Sequence, residues 1–498
     1  MPSPSVDHTH PDYDLAVDAW RLVRDTAFGG GRKVKAEGYR YLPSVSGMSP
    51  ADYNAYRHRA LFYNATKRTL AAYVGFIFAN NPEVEPGSED PSTNVKMLLN
   101  DATMSGHTFY DYLKQATRNV VSLGRTGTLL EWADPAMANR PFVIRYETED
   151  ILNWRYDVVN GRRQLTMVAL RECREVPSQD YFQPETEVRI RVLRLVAQGG
   201  PYCLAELFRK DVNGEWDKID EQVPMRRTVP LDFIPFVFHN TMGDEACPSD
   251  VPLDDLAQVN VSHYCNSADI EQGRHICGLP TLVLAGFPLK GEYFLGSTQA
   301  IVSEEPTASA AFLQIDANSL SALSTGMEEK ERQMAALGAR MLEQQGQGNG
   351  PEAYQTVQIR QSGEVASLTD IAISCSETLS KVLRLARWWD DATVKTPDDL
   401  MEDVYVELNT EFTQPPMDPA KLTALLQAYQ TNAISYEEFF RNMQKGGVIS
   451  TEKKIEDELA AIEENPQNLP KPGDVPPNPG PGKPPAKQPP AKNPPAGG

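Results

Sequence analysis

Three groups of residues invite a chemical reading. The first is Gly29-Gly30-Gly31-Arg32-Lys33, glycines followed by cations, the composition of a loop whose amides cradle phosphate. Such a loop also needs a Gly-Lys-Ser/Thr ending and an apolar strand leading into it. Neither is present, so the run is expected to be an ordinary loop. The second group is His263-x-Cys265 with His275-x-Cys277, which carry metal-donor atoms. Residues two apart on a helix lie about 200° round the axis, so His263 and Cys265 cannot converge on one ion, and the spacing matches no common zinc pattern. The third group is the adjacent acids Asp254-Asp255, Asp390-Asp391 and Asp398-Asp399. Neighbours of this kind are usually solvated turns or helix ends, and Asp254-Asp255 falls in a first helical turn, where the macrodipole favours negative charge. No GxSxG, HExxH or Walker pattern occurs. The chain is read as having no catalytic residue, no metal and no cofactor.

The elements that would position any site come next. The chain has 498 residues, 41% of them hydrophobic and 23% charged, with a net charge of −20. That length suits about two to four domains. The acidity disfavours tight nucleic-acid binding, which needs clustered Lys and Arg, and docking on an anionic membrane. The most apolar run, Leu70 to Ala79, is far short of the ~20 residues of a membrane span. Residues Met1 to Pro11 show no secretory signal pattern. Six cysteines without a CxxC pair fit free thiols in a reducing compartment; a Cys173–Cys203 bridge on facing strands is the alternative.

Ser49-Pro50 opens a helix as N-cap and first residue. Its stripe runs through Tyr53, Tyr56, Ala60, Thr66, Leu70, Tyr73, Val74 and Ile77 and stops at Pro82. A second helix is expected over 94–123, ending at Gly124-Arg125-Thr126-Gly127, where the glycines serve as helix stop and tight strand entry. From Phe142 to Asn240 the pattern is that of an antiparallel meander, with turns at Asn160-Gly161, Gly199-Gly200 and Asn213-Gly214. The centre of the chain reads as two long helices around a strand-rich insert. The first runs over Val251 to His275, the insert over Gly278 to Asp316, and the second helix over Asn318 to Glu343. The glycine-rich loop Gln344-Gln345-Gly346-Gln347-Gly348-Asn349-Gly350 follows. In the first helix Asn260, Ser262, Asn266, Ser267 and Ala268 are small, mostly polar residues suited to a neighbouring chain or a wet lumen. The second carries a stripe of Leu320, Leu323, Met327, Met334, Leu337 and Met341. Asp269, Glu271, Glu328 and Glu329 could give the pair an acidic lining. A third helix, with Val365, Leu368, Ile371, Cys375, Leu379, Val382 and Ala386 inward, ends at Trp388-Trp389-Asp390. A short strand, Val404 to Leu408, follows. Asp418-Pro419 and the box Ser435-Tyr436-Glu437-Glu438 open two terminal helices. From Pro466 the chain is rich in Pro, Lys and Gly, with four lysines against one aspartate, and is expected to be disordered.

In the ordered set of segments Tyr53 to Pro82, Leu253 to Leu284, Glu328 to Leu342, Gly363 to Leu385 and Met417 to Ile449, the chain resembles the portal proteins of tailed bacteriophages. More narrowly, it is similar to a portal-related family catalogued as a phage domain of unknown function. The resemblance spans most of residues 50–450. It implies an α+β portal-type subunit: N-terminal arm 1–48, wing 49–250 of helices and then a β meander, stem helix 251–277, small β-containing clip 278–317, and stem helix 318–343. It continues with tunnel loop 344–354, wing return helix and strand 355–417, helical crown 418–465 and the disordered tail 466–498. It implies a homomeric ring, commonly a dodecamer, at one capsid vertex of the virion, assembled in the host cytoplasm. Double-stranded DNA is packaged and ejected through such a ring without sequence-specific binding. The implied partners are the terminase large subunit, major capsid and scaffolding proteins, and a head–tail adaptor, with no membrane. A cytosolic acidic α+β enzyme with no recognisable motif is the alternative.

Overall fold

The computed structural model describes residues 6–87, 92–133, 138–159, 161–176, 182–197, 200–248, 250–278, 281–287, 302–313, 317–339, 354–410, 412, 419–431, 433–446, 448–449, 453, 455 and 458–459. They fall into two compact units, Met1–Phe412 and Thr413–Gly498. The loop Gln344–Gly350 and the tail from Pro466 lie outside the described residues.

The first unit begins with α1 (Pro11–Val23), where the His10 side chain accepts from the Asp12 N–H and Pro11 occupies a first-turn position that needs no donor. A wide turn, Arg24–Gly29, leads into α2 (Gly30–Ala36). The glycine run expected to be a loop is therefore helical on both sides of a joint. At that joint Gly30 takes a φ of +64°, which a residue with a Cβ rarely adopts. Residues 1–48, expected as an arm, also feed the core: Trp20, Val23 and Ala27 are buried in the main hydrophobic cluster.

Two expected long helices are each broken. The stripe from Tyr53 to Ile77 divides into α3 (Pro50–Arg59) and α4 (Ala65–Ile77), because Asn64 caps a new helix by accepting from the Lys67 N–H. The helix expected over 94–123 divides into α5 (Thr93–Asn100) and α6 (Phe109–Leu123). Asp101 turns the chain by accepting from the Gly106 N–H, and Thr108 with Asp111 forms a capping box that restarts it. The apolar stripes resume on the far side of each break, and the capping residues Asn64 and Thr108 mark where the new helices start. Strand β1 (Glu83–Pro86) lies between the two pairs.

The expected single meander is two sheets. β2 (Arg125–Trp132) is the centre of a three-stranded antiparallel sheet, flanked by β3 (Pro141–Tyr146) and β11 (Phe236–Asn240). β4 (Ile151–Val159), β5 (Arg162–Val176), β6 (Glu185–Val196), β7 (Tyr202–Lys210) and β8 (Trp216–Gln222) form the meander proper. β9 (Met225–Arg226) and β10 (Val229–Pro230) make a short ribbon. β11 leaves the meander because all five of its residues are buried, whereas meander strands such as β6 and β8 keep a wet face. Cys173 on β5 and Cys203 on β7 have β6 between them and are free thiols, not the bridge considered as an alternative.

The chain then enters α7 (Asp254–Gly278), the hairpin β12 (Thr281–Ala285) with β13 (Ser309–Leu313), and α8 (Ala317–Met334). The second long helix was expected to reach Glu343. Its α-helical part stops at Met334, and a wide turn over Ala335–Ala339 breaks at Gly338, whose φ of 172° is extended. Met334 is buried as expected, but Leu337 is 41% exposed because it lies in that turn. α9 (Tyr354–Asp390) buries Leu368, Ala372, Cys375, Leu379, Val382 and Ala386, and β14 (Val404–Glu407) pairs with β1 beside it. In the second unit α10 (Pro419–Gln430) and α11 (Tyr436–Lys445) pack Tyr429 on Phe439, ring centroids 4.7 Å apart. Ser435 caps α11 by accepting from the Glu438 N–H, but the reciprocal half of the expected box is not made. The Glu438 carboxylate accepts from Asn442 instead. The architecture is α+β. No helix among the described residues is long and apolar enough to cross a membrane.

Candidate functional site

α7, the β12–β13 hairpin and α8 form the candidate site. The two helices run antiparallel, and four contacts set their register: Ser262 with Lys330, His263 with Glu331, Asn266 with Gly326, and Gly273 with Leu320. The Lys330 ammonium donates to the Ser262 carbonyl at 3.2 Å, and His263 Nε2 lies 3.2 Å from the Glu331 carboxylate. A Cβ on Gly273 would sit 2.5 Å from the Leu320 Cδ2, so this glycine allows the close approach. The hairpin extends the pair at one end, with Thr281 opposite Leu313 and Ala285 opposite Ser309.

The other flank of α7 is fastened by hydrogen bonds. The Asn260 side-chain Oδ1 accepts from both the N–H (3.2 Å) and the hydroxyl (2.9 Å) of Thr66, and its side-chain Nδ2 donates to the Tyr63 carbonyl at 2.6 Å. The Ser267 hydroxyl accepts from the Leu61 N–H at 3.0 Å. The Cys265 thiol donates to the Tyr41 carbonyl at 3.2 Å, and Arg59 donates to Gln272. The bonds of Asn260 and Ser267 satisfy the backbone exposed where α3 breaks from α4, which would otherwise be buried without partners. The expectation that the small polar residues of α7 face another chain or a wet lumen is therefore corrected. Asn260, Ser267 and Ala268 are buried within their own chain; Ser262 is exposed and Asn266 half-buried, toward α8. The usable signal was the seven-residue spacing of Asn260 and Ser267, which puts both on one helix face.

The four sequence-chosen acids are not brought together. Asp269 accepts from the Tyr56 hydroxyl at 2.6 Å. Burial, and then that hydrogen bond, raise the Tyr56 pKa, so the phenol stays protonated. Glu271 is half-buried and accepts from Arg274 one turn on, at 2.8 Å. Glu328 and Glu329 are exposed on α8, the former 3.8 Å from Arg332. The loop residues Gln344, Gln345, Gly346, Gln347, Gly348, Asn349 and Gly350 lie outside the described residues.

Two buried polar clusters escaped the sequence reading. Arg125 is wholly buried. Its guanidinium donates to the carbonyls of Ala246 (2.6 Å) and Thr148 (3.2 Å) and to the Thr148 hydroxyl (3.1 Å), between the rings of Trp20 and Trp154. Burial pushes its pKa down to about 9, which still leaves it cationic at neutral pH. His239 lies between the Thr128 hydroxyl (2.8 Å) and the Thr378 hydroxyl (2.9 Å), and burial pushes it down to about 3, so it is neutral. With no exposed surface to meet a substrate, both clusters tie β2 and β11 to their neighbours.

A cavity of about 550 Å³ opens between β2, β7 and the end of α9, lined by Glu131, Trp132, Met225 and Trp389 among others. Three of its polar side chains are engaged with protein partners. Glu131 pairs with Arg191, the Trp132 indole donates to Asn139 (3.1 Å), and the Trp389 indole donates to the Met225 carbonyl (3.0 Å). Burial raises the Glu131 carboxyl against the opposing pull of Arg191. Among the described residues no group of three or more His, Cys, Asp or Glu could hold a metal ion.

A family described as a domain of unknown function (DUF4055) matches residues 252–390, the stretch from the start of α7 to the end of α9. No curated protein matches the chain. Among solved structures, it is similar to a chain from the neck of an empty gene transfer agent (GTA) particle computed with C6 symmetry. That match is 11% identical, covers 85% of this chain and 92% of the other, and has a TM-score of 0.37. It is also similar to a chain from the virion of a native gene transfer agent particle, at 11% identity, 86% and 98% coverage and a TM-score of 0.35.

Proposed function

We propose that this chain is the repeating subunit of a phage portal ring, a structural protein of the virion and not an enzyme. The observation that carries the reading is the antiparallel α7–α8 pair, extended at one end by the β12–β13 hairpin and rooted at the other in its own unit, through the polar flank of α7 and through the buried Met334 at the end of α8. Such a pair is a rigid rod that can stand beside copies of itself around a channel, with the hairpin projecting from one end. The sequence resemblance supplies the rest. The ring, commonly of twelve subunits, would sit at one capsid vertex, pass double-stranded DNA during packaging and ejection, and meet terminase, capsid and scaffolding proteins and a head–tail adaptor.

The chain's acidity suits a channel that DNA must slide through, since like charge keeps phosphate from sticking. The enzyme reading would need a cavity where several polar groups converge on a substrate, and in the cavity beside β2 the acid Glu131 and the indoles of Trp132 and Trp389 are engaged with protein partners. Native mass spectrometry with negative-stain images of the full chain tests the proposal. Rings with a central hole, near twelve times the 55.3 kDa chain, are expected. A monomer that stays monomeric when co-expressed with scaffold and capsid proteins would overturn it.

A further inference from the structure

The stretch from Gly29 to Phe78 carries eight Lys and Arg against two acids, in a chain of net charge −20. The two acids are used locally: Glu37 pairs with Lys33 and Arg40, and Asp52 accepts from Ser49. Lys35, Arg57, Lys67 and Arg68 have no carboxylate within ion-pair distance among the described residues. Two of these cations, Lys35 and Arg57, are held close to each other. The Lys35 ammonium donates to the His58 carbonyl at 3.1 Å and feels the Arg57 charge. Arg57 lies over Tyr53 and Arg68 over Tyr63.

The placement of two of them runs against local physics. Lys67 and Arg68 occupy the first turn of α4, where the macrodipole favours Asp or Glu and where no acid is present. Exposed apolar groups lie among them: Tyr39 is 60% exposed, Leu61 64% and Tyr63 47%. Tyr and Arg around an exposed aliphatic residue is the composition of a protein–protein contact, whereas phosphate binding has no use for Leu61.

A source of the opposite charge is present on the same chain. α7 packs against the α3–α4 connector on one flank and against α8 on the other, and these flanks lie roughly 140° apart on a 3.6-residue wheel. Beyond α8, facing away from α7, are the exposed Glu328 and Glu329, and among the described residues Arg332, 3.8 Å from Glu328, is the one cation paired with them. A basic surface on one side and an acidic one on the other is the arrangement of a head-to-tail contact, and repetition about an axis closes such contacts into a ring.

We infer that the basic, tyrosine-bearing face formed by α2, α3 and the start of α4 is the surface on which a second copy of this chain docks, through the acidic outer side of its α8. The inference rests on the ring reading above and adds to it which face makes the contact.

The test is the double variant Lys67→Glu/Arg68→Glu, assayed beside wild type and the charge-conserving Lys67→Arg/Arg68→Lys. Glu at these first-turn positions suits the helix, so the melting temperature is expected to stay unchanged or rise slightly. Assembly is expected to need at least tenfold more protein, and wild-type assemblies are expected to loosen in about 1 M salt, where the screening length falls to about 3 Å. The conservative variant should assemble like wild type. Rings from the double variant at wild-type concentrations would overturn this inference while leaving the portal reading standing. A wild-type chain that never self-associates would overturn both. A variant that forms normal rings but no longer retards duplex DNA that wild type retards would overturn it in favour of a phosphate-binding face.

Discussion

The two flanks of α7 are built by opposite means. Toward the α3–α4 connector it offers Asn260 and Ser267, each hydrogen-bonded to backbone that a broken helix leaves open. Toward α8 it offers a glycine and a few polar tips, so that two rods lie close, held by contact, the exposed Lys330–Ser262 hydrogen bond and the half-exposed His263–Glu331 pair. The first flank punishes any change because a lost partner strands a buried donor or acceptor. The second tolerates polar change and resists only bulk. A helix anchored on one side and smooth on the other has the character of a lever arm, firmly rooted and free to meet other surfaces.

The most damaging way to break that contrast is Asn260→Leu. It strands the Thr66 N–H, the Thr66 hydroxyl and the Tyr63 carbonyl, all at a buried site, and is expected to cost about 3 kcal/mol or more. Chemical denaturation of purified protein measures it. A loss under about 1 kcal/mol would mean that water or a rearranged connector replaces the side chain. On the α8 flank, Gly273→Leu inserts a branched side chain where a single Cβ would already sit 2.5 Å from Leu320. About 1–3 kcal/mol is expected, the usual range for overpacking. The two helices should part before the rest of the unit melts, which hydrogen exchange along α8 would report.

A third buried polar position sharpens the contrast through pH. His239 is held neutral between Thr128 and Thr378 with its pKa pushed down to about 3 by burial, against 6.5 when unfolded. The unfolded chain thus binds a proton that the folded chain refuses between those values. Its contribution to stability is fully present above pH 6.5 and is lost progressively as pH falls toward about 3. His239→Gln should flatten that part of the stability profile, as measured by melts from pH 7 down to about 4. An unchanged slope would assign the acid sensitivity to carboxylates such as Glu147. Burial works to raise that group, but Arg145 and Arg24 together hold it below its ordinary value.

What the sequence disclosed follows the same division. The helix–hairpin–helix order of 254–334 was legible because long periodic runs, capping acids and a strand-rich insert are local signals. The meander turns at Gly161, Gly200 and Gly214 were legible for the same reason, all with positive φ. The breaks at Ala60–Asn64 and Asp101–Thr108 were not, because the apolar stripes resume beyond them and a short gap reads as part of one helix. The role of Asn260 was hidden too, since a polar residue on a helix reads as exposed unless its partner, nearly two hundred positions away, is known. Arg125 misled for a similar reason. Beside Gly124 it reads as part of a helix stop, and only the assembled aromatic walls of Trp20 and Trp154 show it to be buried.

Ser267→Ala should cost about 1 kcal/mol, since it strands a single N–H, that of Leu61, near the edge of the connector. Glu331→Gln should cost least of all. Its carboxylate is 53% exposed, so the pair with His263 is largely screened, and a glutamine can still accept from or donate to the ring. A change below about 0.5 kcal/mol is expected by denaturation. A larger loss would show that the buried His263, whose Nδ1 finds no partner among the described residues, depends on that carboxylate to hold its ring in place. The smooth flank of α7 would then owe its cohesion to one ion pair instead of to close packing at Gly273, and the contrast between the two flanks would narrow to a difference in the number of bonds.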